Sequence, residues 1–340
     1  MISRAQARCL VSHDAIRLAR DIYGLEVSAR SLPGEYDDNF RIETADGRAF
    51  VLKVMHPSRE RAFLDLQCQA LQHVAERAPE IVLPRVQLTP QGEAFTRVVL
   101  RNGEERFIWL VSFLPGKVLA ETRPHSGELL HNLGRLLGRI DHALQDFSHP
   151  AAVRELKWDS ARALWIRKYL SHIKEPSRQA IVERALARYE AEVVPLLSNL
   201  RKGVIYGDGN DHNVVVNDAS AQTQSAVSLI DFGDMHHGLL VSEPAIAAAY
   251  AVLGKCDPLT AATALVSGFH RAFSLEEAEL SVLFPLIETR LAVSVVNSAC
   301  RRLIVPDDPY VTVSEGPAWE ALGRLAKIHP RFAYYAFRKL

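Results

Sequence analysis

The sequence lacks the features of a disulfide-bonded, zinc-binding or membrane-spanning protein. Its 340 residues include only four cysteines, which lie far apart without any Cys-x-x-Cys spacing, so neither a zinc site nor a disulfide framework is expected. No apolar run approaches the ~18 residues of a membrane span, and the N-terminal stretch has no apolar core of the signal-peptide type. We therefore expect a cytoplasmic protein without a membrane partner.

Net charge is also absent. The 40 basic and 40 acidic residues cancel, so no overall field would attract nucleic acid, and a small-molecule substrate is favoured. The sequence contains no G-x-x-x-x-G-K-[ST], which excludes a Walker-type phosphate loop. The hydrophobic content of 48% and charged content of 24% are ordinary for a globular protein, and this chain length suits two subdomains.

Two short polar segments, each preceded by an apolar run, carry the chemical information. They have the forms Asp208-x-x-x-x-Asn213 and Asp231-Phe-Gly. Phosphoryl transfer needs an aspartate to orient and deprotonate the attacking hydroxyl, and an asparagine and a second aspartate to hold Mg²⁺ against the phosphates. Asp208, Asn213 and Asp231 supply that set in the expected order. A lone aspartate of this kind is commonly a turn or cap residue, but two ordered motifs with a lysine upstream favour catalysis.

The segment between the two motifs predicts a β-hairpin. Apolar residues at 214–216 and 226–227 flank a polar turn, which is the pattern of two short paired strands. Such a hairpin would bring the polar groups at its ends close enough to share a metal ion.

The pattern Asp-x-x-x-x-Asn followed by Asp-Phe-Gly resembles the catalytic and metal loops of the protein-kinase-like superfamily, and its form here is similar to the aminoglycoside phosphotransferase branch. Within that branch it is most like hydroxylysine kinases and kinase-like domains fused to class III aminotransferases. The matching segments are 32–40, 50–54, 211–214, 231–235 and 243–247.

The resemblance runs from about residue 30 to the C-terminus and implies an α+β, two-lobed, protein-kinase-like fold. A small antiparallel-sheet N-lobe would span residues 1–112 and grip the nucleotide phosphates. A larger, mostly helical C-lobe would span 113–340 and hold the catalytic loop, the metal loop and the acceptor site. The likeness to fused domains also implies a link to a PLP-dependent aminotransferase-like partner.

Periodicity along the chain agrees with that division. Ser12 is expected to cap a first helix, and Ala45-Asp46-Gly47 is expected to turn a hairpin. Strand patterns are expected at 40–42, 50–54, 96–100 and 106–113, with a helix at 63–74. Helical spacing then follows at 128–144, 160–170, 178–197, 244–253, 259–273, 276–302 and 319–328.

Lys53 is the candidate phosphate-gripping lysine. It ends an apolar strand, so its ammonium can reach phosphates while its stem packs; an exposed strand-end lysine is the alternative. The resemblance implies that a carboxylate on the following helix holds this lysine. Asp65 occupies the implied position and Glu60 is the competing choice, although either could be a solvated helix charge.

Other nucleotide contacts are expected from the backbone. The loop at 33–39 would lie over the phosphates and contact them through N–H groups. Asn39 is expected to bind phosphate or order this loop, and an ordinary turn amide is the alternative. The hinge residues Ser112, Phe113 and Leu114 would offer backbone groups to the nucleobase.

Several residues are expected to support the active groups. Tyr206 stands where the resemblance has a histidine that buttresses the catalytic loop, and a hydroxylated ring could do the same. Asn210 would stiffen the loop, and Asp234 would aid the metal or cap a following helix. The adjacent His236 and His237 cannot project together, so a solvent-facing or stacking role is favoured over metal binding.

An amino acid acceptor would need a cation for its carboxylate. Arg290 lies on the otherwise apolar helical stretch 286–296 with Glu288 nearby, and this pair is the candidate acceptor site. A structural Arg–Glu pair is the alternative, because buried ions are usually paired.

The expected function is a Mg²⁺- or Mn²⁺-dependent kinase. It would transfer the γ-phosphoryl group of ATP or GTP to the hydroxyl of a small amine-bearing alcohol, such as a hydroxy-amino acid or amino alcohol. The resemblance implies a hydroxylysine-like acceptor. The alternatives are a non-catalytic nucleotide-binding module that serves a partner enzyme, and a kinase for an aminoglycoside, homoserine or choline-like compound.

Overall fold

The computed structural model describes residues 10–34, 36–217, 226–304 and 315–339. Its contacts divide the chain into two compact units, Met1–Pro115 and Gly116–Leu340. The sequence placed the lobe boundary at 112/113, near this division. In the part of the chain that is described, no helix combines the length and apolarity needed to cross a membrane.

The first unit is an antiparallel sheet with two helices. Its strand order is β1-β2-β3-β6-β4, and β5 pairs with β6. The strands are β1 Val27–Leu32, β2 Asp38–Thr44, β3 Ala49–Val54, β4 Val86–Gln87, β5 Phe95–Val99 and β6 Glu105–Ser112, and the helices are α1 Ser12–Tyr23 and α2 Arg61–Arg77. This confirms the small antiparallel sheet that the resemblance implied.

Helix α1 begins differently from its expectation. Ser12 was expected to cap the helix, but Val11 is the N-cap and its N–H donates to the Asp14 carboxylate at 3.2 Å. Asp14 therefore accepts the Val11 N–H from inside the first turn. The buried face of α1 packs Leu18 onto a core that includes Phe40 of β2.

One buried ion cluster joins strands β2 and β6 and the turn before β6. Arg106 on β6 has a fully buried side chain, and its guanidinium contacts Asp38 at 3.1 Å and Glu104 at 2.7 Å. A buried guanidinium is tolerable because two carboxylates surround it.

The second unit is mostly helical. Its helices are α3 Gly127–Ala143, α4 Pro176–Arg188, α5 Ser242–Ala251, α6 Pro258–Ala272, α7 Glu277–Ile304, α8 Glu315–Leu325 and α9 Pro330–Arg338, with a 3₁₀ segment at Ser160–His172. The expected helix at 178–197 is too long: α4 ends at Arg188, and a π turn and a 3₁₀ turn follow. Pro195 in that 3₁₀ turn has no N–H for helical bonding. Helix α9 was not predicted.

Helices α3 and α6 cross at close range. A Cβ at Gly134 would lie 1.8 Å from the Leu265 carbonyl oxygen, and a Cβ at Gly268 would lie 1.8 Å from the His131 carbonyl oxygen. The two glycines therefore let the backbones approach, and no larger residue fits either position.

Two small antiparallel sheets carry the loops of interest. The first has the order β10-β9-β7 and the second pairs β11 with β8. Their strands are β7 Lys117–Val118, β8 Lys202–Ile205, β9 Val214–Asn217, β10 Ala226–Leu229 and β11 His236–Leu239. The β9–β10 pairing confirms the predicted hairpin, whose turn lies outside the described residues; the β8–β11 pairing was not predicted.

Candidate active site

The two motif loops run side by side between the small sheets. The loop at 206–213 leaves β8 and enters β9, and the loop at 230–235 leaves β10 and enters β11. Because β8 pairs with β11 and β9 pairs with β10, both ends of the two loops are held together. The Ile230 N–H also donates to the Asn213 carbonyl at 2.9 Å. The two motif loops are therefore neighbours, as the hairpin prediction required.

Asp208 lies at the centre of this arrangement. Its Oδ2 accepts a hydrogen bond from Asn213 Nδ2 at 2.6 Å, and its Oδ1 lies 3.3 Å from an Arg290 nitrogen. The Asn210 side chain also donates to it. Burial, and then the charge of Asp234, raises the pKa of Asp208 well above its ordinary value, while Arg290 opposes the shift. Since 18% of the side chain stays exposed, the carboxylate is fixed yet reachable by a hydroxyl.

Asp231 has an unusual backbone conformation. It is the one non-glycine residue with a positive φ in the described chain, at 60°, and such a conformation costs about 1–3 kcal/mol. Its side chain is exposed, and Oδ1 accepts a hydrogen bond from the Gly233 N–H at 3.2 Å. Strain of this kind persists where the surroundings fix a functional group.

The donor chemistry at the two loops fits a divalent cation. Asp231 offers an exposed carboxylate, and Asn213 offers a carboxamide oxygen, both of which are hard ligands. Burial, and then the charge of Asp231, raises the pKa of Asp234, because a second negative charge is disfavoured beside Asp231. The described residues contain no cluster of three or more His, Cys, Asp or Glu side chains that could hold a metal unaided. A metal here would need further oxygens from phosphate or water.

Tyr206 joins the two loops. Its hydroxyl donates to the Ile230 carbonyl at 2.6 Å, and its ring packs edge-on against Phe232 with centroids 5.0 Å apart. Burial raises the pKa of Tyr206 well above its ordinary value, and the nearby Asp208 adds to this. The tyrosine thus stays neutral and acts as a hydrogen-bond donor.

The Asp234 side chain and the two histidines lie beside these loops. Strand β11 follows Asp234, so the interpretation of Asp234 as a helix cap is wrong, and its metal role stays a prediction. His236 is buried, with Nδ1 2.9 Å from the Asp234 carbonyl oxygen, whereas His237 is exposed. The solvent-facing role fits His237 only.

Arg290 reaches the site from α7, 82 residues from Asp208 in the chain. It is 4% exposed, and its guanidinium carbon lies 4.6 Å from the Trp158 ring centroid and 5.5 Å from that of Tyr250. The alternative of an Arg290–Glu288 pair is wrong. Residues two apart on a helix point in different directions, and Glu288 is paired with Arg188 instead.

Sequence reasoning missed the groups that surround Arg290 and the catalytic loop. Trp158 accepts a hydrogen bond from Arg290 through its carbonyl at 3.4 Å, and the Tyr250 hydroxyl lies 3.4 Å from the same guanidinium. Glu243 accepts the Gly207 N–H at 2.8 Å. These contacts join segments that are far apart in the chain, so no local sequence pattern predicts them.

The candidate nucleotide residues lie in the first unit. Asn39 on β2 and Lys53 on β3 are direct cross-strand neighbours, and the Lys53 ammonium lies 5.4 Å from the Trp109 ring centroid. Asn39 Nδ2 donates weakly to the Pro33 carbonyl at 3.5 Å. Asp65 on α2 accepts a hydrogen bond from Gln69 at 3.0 Å. Within the expected phosphate loop, residue 35 lies outside the described residues.

Backbone hydrogen bonds already engage two of the three N–H groups that the hinge prediction offers to the nucleobase. The Ser112 N–H donates to the Arg85 carbonyl at 2.9 Å and the Phe113 N–H donates to the Ala49 carbonyl at 3.0 Å. Leu114 is therefore the one of the three hinge residues whose N–H makes no backbone hydrogen bond within the described part of the chain.

Comparisons with known proteins agree with this architecture. The sequence model of the phosphotransferase enzyme family matches residues 28–275. Hydroxylysine kinase of Mus musculus is 27% identical over 346 residues, covering 95% of this chain and 91% of the relative. Hydroxylysine kinase of Xenopus laevis is also 27% identical, with 93% and 90% covered.

Solved structures show the same fold at lower identity. An amicoumacin kinase in complex with AMP-PNP and Ca²⁺ superposes with a TM-score of 0.70 at 14% identity, covering 95% of this chain and 97% of that one. A microcompartment-associated aminopropanol kinase superposes with a TM-score of 0.61 at 16% identity, with 92% and 94% covered. The two-lobed kinase-like fold is therefore confirmed.

Proposed function

The chain belongs to the phosphotransferase enzyme family and is a kinase with an alcohol group as acceptor, and from that membership we propose a more specific reaction. The enzyme transfers the γ-phosphoryl group of ATP or GTP to the hydroxyl of a hydroxylysine-like hydroxy-amino acid or amino alcohol. The observation that supports this best is Asp208, held by Asn213 at 2.6 Å and faced by Arg290 at 3.3 Å. A carboxylate in this setting can orient a hydroxyl and receive its proton.

The proposed metal ligands and phosphate-binding residues are chosen by the chemistry of their side chains. Asn213 and Asp231 would hold Mg²⁺ or Mn²⁺, which supplies charge neutralisation at the phosphates. Lys53 is the proposed phosphate-binding cation, with Asp65 its proposed carboxylate partner. In such a loose transition state the protein contributes mainly positioning and fixed charge.

Arg290 points to an acceptor that carries a carboxylate. It is set among apolar neighbours of α7, and its Nε has no hydrogen-bond partner among the described residues. The terminal nitrogens already contact Asp208, Trp158 and Tyr250, so Nε is the donor left for a carboxylate, and an amino alcohol without one would leave it unused. A hydroxy-amino acid is therefore favoured over a simple amino alcohol.

A panel assay tests the reaction. Hydroxy-amino acids, amino alcohols and an aminoglycoside are offered with ATP or GTP and Mg²⁺, and nucleoside diphosphate and phosphorylated acceptor are both measured. Asp208→Ala should lower kcat by at least ~100-fold with little change in nucleotide binding. If the wild type binds Mg-nucleotide yet phosphorylates no acceptor, the chain is a non-catalytic module and the proposal is wrong.

A double-mutant cycle tests the carboxylate contact. Arg290→Lys keeps the charge and loses the fork, so the acceptor KM should rise while the nucleotide KM stays unchanged. Wild type should prefer the amino acid over its decarboxylated analogue by about 30- to 1000-fold, and the variant should lose most of that preference. Arg188→Lys, which disturbs the neighbouring pair with Glu288, is the matched control and should keep the preference. Additive effects of mutation and decarboxylation would show that Arg290 does not touch the carboxylate.

A further inference from the structure

Two buried carboxyl groups lie outside the roles assigned above. Asp141 on α3 is 1% exposed, and Glu243 in the first turn of α5 is 0% exposed. Among the described residues, neither Asp141 oxygen has a hydrogen-bond partner, and neither does Glu243 Oε1. A buried carboxylate without a donor or a cation is strongly disfavoured, so at least one proton is expected here.

The pair lies behind the catalytic loop. A Cβ at Gly209 would lie 3.1 Å from the Ala247 Cβ and 3.6 Å from Leu137 Cδ1, so the loop packs on α5 and α3 at these two residues. Ala247 follows Glu243 by four positions, and Leu137 precedes Asp141 by four. Because residues four apart share a helix face, both carboxyl groups belong to the faces on which the loop rests.

Glu243 is bonded to the loop itself. Its Oε2 accepts the Gly207 N–H at 2.8 Å, and it also accepts the Tyr206 N–H. Gly207, with φ at 75°, directly precedes Asp208, and a Cβ there would come 3.0 Å from the His236 ring. The loop backbone is thus confined between Glu243 and His236, and Glu243 fixes the peptide next to Asp208.

The two carboxyl groups differ in their surroundings. Two backbone donors favour the ionised form of Glu243, whereas Asp141 has none. Burial raises the pKa of Glu243 to about 7, and the two N–H groups and Arg290 on α7 oppose the shift. Burial, and then the charge of Glu243, raises the pKa of Asp141 well above its ordinary value. The titratable groups that interact with Glu243 are Asp141, Arg290 and the neutral Tyr206, while burial lowers the pKa of His236 beside Gly207.

We propose that Glu243 is a positioning residue that holds the catalytic loop through an ionised carboxylate, and that Asp141 is its protonated partner, which keeps the charge of the pair on Glu243. The bonds from Gly207 and Tyr206 are stronger when the acceptor is ionised. Protonation of Glu243 should therefore loosen the loop and lower kcat, without removing any group that touches a substrate.

The pH profile of kcat is the test. With saturating nucleotide and acceptor, wild-type kcat should fall as the pH drops through about 7, the pKa of Glu243. Glu243→Gln keeps the shape and an acceptor oxygen but cannot ionise, so its kcat at high pH should be about tenfold lower. Its acid limb should leave the wild-type midpoint and keep only the limb of Asp208, whose pKa is also raised by burial. Both KM values should stay near those of wild type, because Glu243 contacts the loop and no substrate. Glu279→Gln is the matched control: Glu279 is equally buried but paired with Arg201, so this variant should keep the limb.

Asp141→Asn tests the second half of the proposal and serves if the Glu243 variant does not fold. Asparagine imitates the protonated acid, so the midpoint of the acid limb should stay where it is in wild type. A midpoint that moves to lower pH would show that Asp141 is ionised in wild type and would overturn its role. A flat wild-type profile, or the same limb in Glu243→Gln as in wild type, would overturn the role of Glu243.

Discussion

Tyr206→Phe tests whether the first residue of the catalytic loop also positions the metal loop. The buried Tyr206 hydroxyl donates to the Ile230 carbonyl at 2.6 Å, and the Ile230 N–H donates to the Asn213 carbonyl at 2.9 Å. The residue before Asp231 is therefore held from both sides by the catalytic loop. The substitution keeps the ring on Phe232 and removes only the hydroxyl.

The expected loss has two parts. A buried carbonyl left without its donor should lower the free energy of unfolding by about 1–3 kcal/mol. In addition, Asp231 at φ 60° keeps its strained backbone only while its neighbours fix it. Loosening Ile230 should therefore raise the Mg²⁺ concentration for half-maximal rate by about three- to tenfold, equivalent to roughly 0.7–1.4 kcal/mol. The acceptor KM should change little.

Urea unfolding and Mg²⁺ titrations of the rate measure the two parts separately. Tyr189→Phe is the matched control, because Tyr189 is also fully buried and its hydroxyl donates to the Ser160 carbonyl at 2.8 Å. That variant should lose similar stability and keep the wild-type Mg²⁺ dependence. If both variants shift the Mg²⁺ dependence equally, Tyr206 has only a structural role and the reasoning fails.

Three further outcomes are expected. Gly268→Ala should destabilise the fold by about 1–3 kcal/mol or more in urea unfolding, because its Cβ would lie 1.8 Å from a backbone carbonyl of α3, whereas Gly323→Ala in open space should be neutral or stabilising. Arg106→Met should lower the free energy of unfolding by about 3–5 kcal/mol, because it leaves the buried carboxylate of Asp38 uncompensated; a change below 1 kcal/mol would contradict this. The pKa of Glu243 is raised from 4.5 to about 7, so folding favours its protonated form. This stabilisation is fully present below pH 4.5 and is lost as the pH rises to about 7, which lowers the free energy of unfolding by roughly 3 kcal/mol. Urea unfolding across that range should show the loss in wild type and a smaller loss in Glu243→Gln.

Local patterns were sufficient for the residues that share one loop. Asp208 and Asn213 lie in the short connection between β8 and β9, so their proximity follows from their spacing, and the hairpin after them could be predicted from two apolar runs. The α7 helix was also predictable, from 276–302 against the observed Glu277–Ile304, because its apolar pattern is long. Long periodic segments are the most reliable part of such predictions.

Contacts that depend on helix packing could not be predicted in the same way. Arg290 was singled out as a charge on an apolar helix, but its contact with Asp208 joins positions 82 residues apart. The orientation of α7 decides whether position 288 or position 290 faces the loop, and a single sequence contains no measure of that rotation. Asp141 was missed for the same reason. In the sequence of an amphipathic helix, an acid on the buried face gives nearly the same pattern as an exposed acid at the border of that face.

Tyr206 stands where the resemblance to kinase-like families implies a histidine, and its contacts give the tyrosine a physical explanation. The loop does not depend on that side chain alone, because Glu243 holds the Gly207 N–H and Asn213 holds the Asp208 carboxylate. What position 206 must supply is a ring that fills the space beside Phe232 and a donor for the Ile230 carbonyl. The phenol meets both requirements, and its raised pKa keeps the donor proton in place. The tyrosine therefore preserves the link between the two loops, and we expect catalysis to depend on that link and not on the identity of the ring.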